Sequence, residues 1–109
     1  MATYVIDLDG TIFKHGTNDF LPGSKEFLEE ISENGHMIIF TTRRGKEFEG
    51  HPVYDKEKTL KVLTELGVKY DFIVFDSPSP RIVINDRGSY AIDCETNKGL
   101  ENERGRTFT

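Results

Sequence analysis

The chain has 109 residues, 36% hydrophobic and 30% charged, and its 14 Lys+Arg against 19 Asp+Glu give a net charge of −5. Apolar residues in tight runs at this length argue for one globular domain over residues 1–109, not for a disordered chain or two core-starved halves. The acid excess argues against a broad phosphate-gripping face for nucleic acid, the single Cys94 against an internal disulfide, and the lack of a leader or a long apolar run against export or a membrane span, so a soluble, cytoplasmic protein is expected.

Tyr4-Val5-Ile6-Asp7-Leu8 predicts a first buried strand, short and β-branched. A loop with Gly10, Gly16, Asn18 and Asp19 follows over 10–21. A helix is predicted from Pro22 to Asn34, with Phe27, Leu28 and Ile31 as its apolar stripe and Gly35 to end it. Met37-Ile38-Ile39-Phe40-Thr41 predicts a second strand. Residues 43–54 are polar and carry Gly45, Gly50 and Pro52. A second helix is predicted over 55–66, with Leu60, Leu63 and Leu66 at core spacing. Phe72-Ile73-Val74-Phe75 predicts a third strand, and Ser77-Pro78-Ser79-Pro80 a tight connection. Ile82-Val83-Ile84 predicts a fourth strand and Tyr90-Ala91-Ile92 a fifth, with a polar, loosely ordered tail over 95–109. Alternating strands and helices predict an α/β three-layer sandwich, thin on one side, around a mainly parallel, Rossmann-like open sheet.

Ligands of such sheets bind beyond the carboxyl ends of the strands. Strand one ends in Asp7, Asp9, Gly10 and Thr11, strand two in Thr41-Thr42-Arg43, strand three in Asp76 and strand four in Asn85-Asp86. Asp7 and Asp9 stand two apart, which on extended backbone points both to one side. Close carboxylates repel unless a cation joins them or one holds a proton. Asp86 is the candidate third arm, and oxygen-only ligands suit magnesium. Gly10 permits a sharp exit that leaves backbone N–H groups free to face an anion.

Val5-Ile6-Asp7-Leu8-Asp9-Gly10-Thr11 resembles the first motif of the haloacid dehalogenase-like phosphatase superfamily. Ile38-Ile39-Phe40-Thr41 resembles its second, and Ile82-Val83-Ile84-Asn85-Asp86 its fourth, in the family's order. The resemblance covers residues 4 to about 93. It implies that Asp7 is a nucleophile carrying an aspartyl-phosphate, and that Asp9 protonates the leaving oxygen and then activates water. It further implies that the Asp7 carboxylate, the Asp9 backbone carbonyl and the Asp86 carboxylate hold Mg2+, and that the Thr41 hydroxyl and Thr42 N–H bind the phosphoryl oxygens. Gly10 and Thr11 belong to the same phosphate-facing turn.

Two departures stand out. The third motif of compact members is a Lys-Pro dipeptide ahead of the fourth strand, and here that place is Ser77-Pro78. Arg81, Lys56 and Lys58 are the available substitutes, with Lys58 preferred as the catalytic cation; Ser77 is otherwise a simple hydrogen-bond donor to the phosphoryl group. In the fourth motif Asn85 stands where many members carry a first acid.

Asp9 and Thr41 are separated by 31 residues, and Thr41 and Ser77 by 35, which leaves no room for a cap domain. The site is therefore expected to be open, or covered by a second subunit. Arg43, Arg44 and Lys46, on the only candidate lid, are either solvated charges or a grip for a second phosphate or an acidic sugar. The three His are scattered and assigned no role. The resulting expectation is a magnesium-dependent phosphatase acting on a small-molecule phosphate monoester, for example a sugar phosphate. The alternatives are a phosphatase of nucleotides or polynucleotide ends, and a phosphate-binding module that kept the site and lost fast catalysis.

Overall fold

The computed structural model describes residues 1–106. Three parallel strands form one sheet in the order β1-β2-β3: β1 is Thr3–Asp7, β2 is Met37–Thr41 and β3 is Phe72–Val74. Helix α1, Ser24–Glu33, links the first two strands, and α2, Lys56–Glu65, links the second and third. The register pairs Tyr4 with Ile38, Ile6 with Phe40, and Phe40 with Ile73. Those positions share one face of the pleat, and that face is the buried one. Ile6, Ile38 and Phe40 join Phe27, Leu28 and Ile31 from α1 and Leu63 from α2 in a single core. Leu8, Ile12 and Phe13, from the turn after β1, complete it.

Each helix starts for a visible reason. Asp55 caps α2, its carboxylate accepting the N–H of Lys58 at 3.1 Å and that of Gly50 at 2.8 Å. α1 lacks a side-chain cap and begins at Gly23, whose left-handed backbone turns the chain into the helix. The predicted helix bounds and first three strands agree with these elements to within two residues at each end.

The α/β class and the parallel Rossmann-like sheet stand as expected. The thin side is bare: Val5, Phe72 and Val74, on the face away from the helices, are 62%, 60% and 48% exposed. The fourth and fifth strands do not form. Ile82, Val83 and Ile84 run without ladder partners and are almost fully exposed. A strand needs a neighbour to take its N–H and C=O groups, and among the described residues the outer edge of β1 pairs with nothing. The polar tail has an anchor in Leu100, which is buried in the core and donates its N–H to the Pro22 carbonyl at 3.1 Å. The last part of the tail, 107–109, lies outside the described residues.

Candidate active site

The carboxyl ends of β1 and β2 meet where the motifs place them. Asp7 and Thr41 are direct partners in the register, the last pair of the β1–β2 ladder. Thr41 in turn pairs with Val74 at the end of β3. Strand pairing, not any side-chain bond, brings the Thr41 hydroxyl position beside the Asp7 carboxylate.

After Asp7 the chain folds tightly on itself. The Leu8 carbonyl accepts three N–H groups, from Thr11, Ile12 and Phe13, and the Gly10 N–H is donated to the Phe13 carbonyl at 2.7 Å. The N–H groups of Gly10 and Thr11 are thus spent on the turn itself, contrary to the expectation that they face an anion. Gly10 has a different reason to be glycine. Its φ is +86°, and a Cβ there would lie 2.5 Å from His15 Nε2. The His15 ring is therefore folded over the motif, close enough for its charge to act on Asp7.

Asp7 is half-buried. Burial pushes its carboxyl above the ordinary carboxylate value, and the Asp9 charge pushes the same way. Arg81, the Leu8 N–H and His15 pull it down, and the net displacement is upward.

The cation facing Asp7 is Arg81. Its guanidinium reaches Asp7 Oδ1 at 3.5 Å while its Nε donates to Ser77 Oγ at 3.0 Å and its terminal nitrogen to the Ser77 carbonyl at 3.0 Å. Ser77 thus orients Arg81 through its Oγ and carbonyl oxygens, both of which accept. Lys58, the preferred substitute, makes its hydrogen bond elsewhere: its Nζ donates to the His51 carbonyl at 3.4 Å. Its position in the first turn of α2 turns it toward the 43–54 loop. Lys56 lies over the Phe75 ring, 5.4 Å from the centroid.

Two more expectations are corrected. The Thr42 N–H is donated to the Val74 carbonyl at 3.0 Å, because the β2–β3 ladder runs one residue further than the strand pattern implied. Asp86 does not converge with Asp7 and Asp9. Among the described residues no group of three or more His, Cys, Asp or Glu side chains is placed to hold a metal ion. The reason is the unformed fourth strand, without which nothing carries Asp86 to the sheet's rim.

Arg43 is exposed and paired with Glu47 at 3.1 Å. With Glu47, Lys46, Asp76, Pro78 and Ser79 it lines an open groove of about 830 Å³. Asp76 accepts the Lys46 N–H at 2.7 Å, and its carboxylate lies so close to Gly45 that no side chain fits there. Arg44 takes neither of its expected roles: it is 1% exposed and ion-paired with Asp9 at 2.7 Å. One signal for it was present in the sequence. Thr42 and Arg44 are buried and Arg43 is exposed, which continues the strand's two-residue period past its end.

Comparison with known proteins agrees with this arrangement. A family model described as haloacid dehalogenase-like hydrolase matches residues 4–97. No curated protein matches the sequence. Among solved structures, a structural-genomics target from Vibrio cholerae is 24% identical, with a TM-score of 0.58 over 99% of this chain and 90% of its own. The D,D-heptose 1,7-bisphosphate phosphatase from B. bronchiseptica, solved with magnesium and phosphate, is 16% identical with a TM-score of 0.50. That match covers 72% of this chain and 51% of the phosphatase, so the chain spans about half the length of that neighbour. At these identities the two structures speak for the fold, and the family model, matched over residues 4–97, for the family. With Asp7 and Thr41 paired at the rim of a parallel sheet and the match extending from residue 4 to residue 97, the chain belongs to the haloacid dehalogenase-like hydrolases.

Proposed function

We propose that this hydrolase is a magnesium-dependent phosphatase that cleaves a phosphate monoester through an aspartyl-phosphate on Asp7. The observation that carries the reading is the placement of Asp7 between the Thr41 position and a guanidinium, with Asp9 on the next turn. In the proposed reaction Asp7 attacks phosphorus and Arg81 and Thr41 offset charge on the phosphoryl oxygens. Asp9 gives a proton to the leaving oxygen and afterwards takes one from water.

The donor chemistry fits magnesium in part. Asp7 presents a carboxylate in a neighbourhood already crowded by the Asp9 charge. The Asp9 carboxylate is committed to Arg44, and its backbone carbonyl takes no hydrogen bond from the described residues. Two protein oxygens, with water and substrate phosphate completing the shell, match magnesium's habit of keeping several waters. When bound, the ion neutralises the approaching phosphate and so lets an anionic carboxylate attack it.

The substrate is proposed to be a small phosphate ester, such as a sugar phosphate. The open groove lined by Arg43, Lys46, Glu47 and Asp76 gives the leaving group room and polar contacts of both signs. A panel of phosphate esters assayed with magnesium tests the reading. Release of inorganic phosphate, abolished in Asp7→Asn and by chelation, is the expected result. Absence of turnover across the panel, with phosphate-mimic binding intact, favours the binding-module alternative.

A further inference from the structure

Arg44 has the largest side chain among those fully buried, and a buried guanidinium is costly unless its donors are met. Here all five are. Nε donates to Asp9 Oδ2 at 3.0 Å and one terminal nitrogen to Asp9 Oδ1 at 2.7 Å, which makes a two-pronged fork on the carboxylate. That same nitrogen reaches the Thr17 carbonyl at 3.2 Å. The other donates to Asn18 Oδ1 at 2.7 Å and Thr59 Oγ1 at 3.1 Å. The central carbon of the guanidinium lies over two rings, 5.5 Å from the Phe13 centroid and 5.0 Å from that of Tyr54. Tyr54 is itself fixed, its hydroxyl accepting the Gly16 N–H at 2.7 Å.

This is more apparatus than neutralising one acid requires. The fork dictates the plane of the Asp9 carboxylate, and the other partners dictate the plane of the fork. Those partners come from the loop after the first motif, from the loop before α2 and from α2 itself. We infer that Arg44 is the positioning residue for Asp9: it fixes the plane of the side chain, from which the protonated carboxyl hands its proton to the leaving oxygen and the resulting carboxylate then takes one from water. This rests on the reading of Asp9 as acid and base. It gives Arg44 no contact with substrate, and it ties the aim of the acid to the loops that frame the open site. Lysine cannot replace it, because a single ammonium can neither fork nor stack.

The leaving group supplies the test. A poor one, as in phenyl phosphate, needs the proton; a good one, as in dinitrophenyl phosphate, departs without it. kcat/KM isolates the step in which the leaving group departs from the later hydrolysis of the aspartyl-phosphate. Arg44→Lys is expected to lower kcat/KM on phenyl phosphate by about 100-fold, and on dinitrophenyl phosphate by less than about threefold. Asp9→Asn should show the same selective pattern. Asn18→Ala, which loosens the far side of the guanidinium and leaves Asp9 untouched, should reproduce it at about 5- to 10-fold and serves where Arg44→Lys fails to fold. An equal loss on both substrates in every folded variant, or no loss on either, overturns the positioning role while leaving the phosphatase reading in place. A wild-type protein inactive on both esters with magnesium overturns that reading, and the role of Arg44 with it.

Discussion

Asp7 concentrates the conflict between stability and reactivity. Its carboxyl sits above the ordinary value of 3.8 because burial, more than any neighbour, disfavours its charge. A raised carboxyl binds its proton more tightly in the folded chain than in the unfolded one. Its contribution to stability is full below the unfolded value and is lost as the pH rises through the folded one. At neutral pH the ionised side chain therefore works against folding. Asp7→Asn is expected to raise the melting temperature at neutral pH without metal, by a few degrees at most, and the gain should shrink as the pH falls toward 4. Thermal unfolding of both proteins across that range checks the sign; a variant less stable than the parent at neutral pH contradicts it.

Arg81 is the guanidinium that meets Asp7, at 3.5 Å from Oδ1. Removing one preorganised donor costs a phosphatase about 100- to 1000-fold in turnover. Arg81→Ala is expected to fall in that range, Arg81→Lys to keep most of the rate, and Lys58→Ala to stay within about twofold of the parent, since Lys58 faces the His51 carbonyl. Steady-state rates of the three variants on one ester decide it. A large loss in Lys58→Ala alone restores the lysine of the second helix. Residue types named all three candidates in the sequence, but their order depended on where the chain after β3 runs. A four-residue step from Ser77 to Arg81 brings the guanidinium back onto its own turn, which no sequence periodicity announces.

Among the elements, those with local causes were legible and those needing a distant neighbour were not. Amphipathic spacing and Gly35 or Gly67 at the ends delimit both helices within the sequence. β-branched runs mark the three strands. Ile82-Val83-Ile84 has equal strand character, yet it remains unpaired and 73–94% exposed. Its apolar side chains and the bare edge and face of β1, including exposed Val5, are surfaces that water covers at a cost. With magnesium and beryllofluoride added, hydrogen exchange is expected to slow at 7–11 and to stay unchanged at 82–86. Slowing at 82–86 as well returns Asp86 to the metal set.

At the scale of the molecule, one core fed by both helices, the first-motif turn and Leu100 holds the site together. Leu100 is 5% exposed and comes from a segment that composition alone makes a loose tail. Leu100→Ala is expected to cost about 2–5 kcal/mol by loss of burial and an unfilled cavity. Urea denaturation measures it. A change under about 0.5 kcal/mol, the range of exposed sites, means that the segment does not dock.

The sequence by itself determined the α/β class, the parallel order of strands and helices, and the acids and hydroxyl that end β1 and β2. Those follow from periodicity and from motifs whose residues are neighbours along the chain. Tertiary structure alone decided which cation meets Asp7, why Arg44 is buried, which backbone N–H groups are already spent and whether Asp86 reaches the rim. Each of these depends on pairing between segments tens of residues apart, where side-chain reach and hydrogen-bond competition are settled only once the chain has closed on itself.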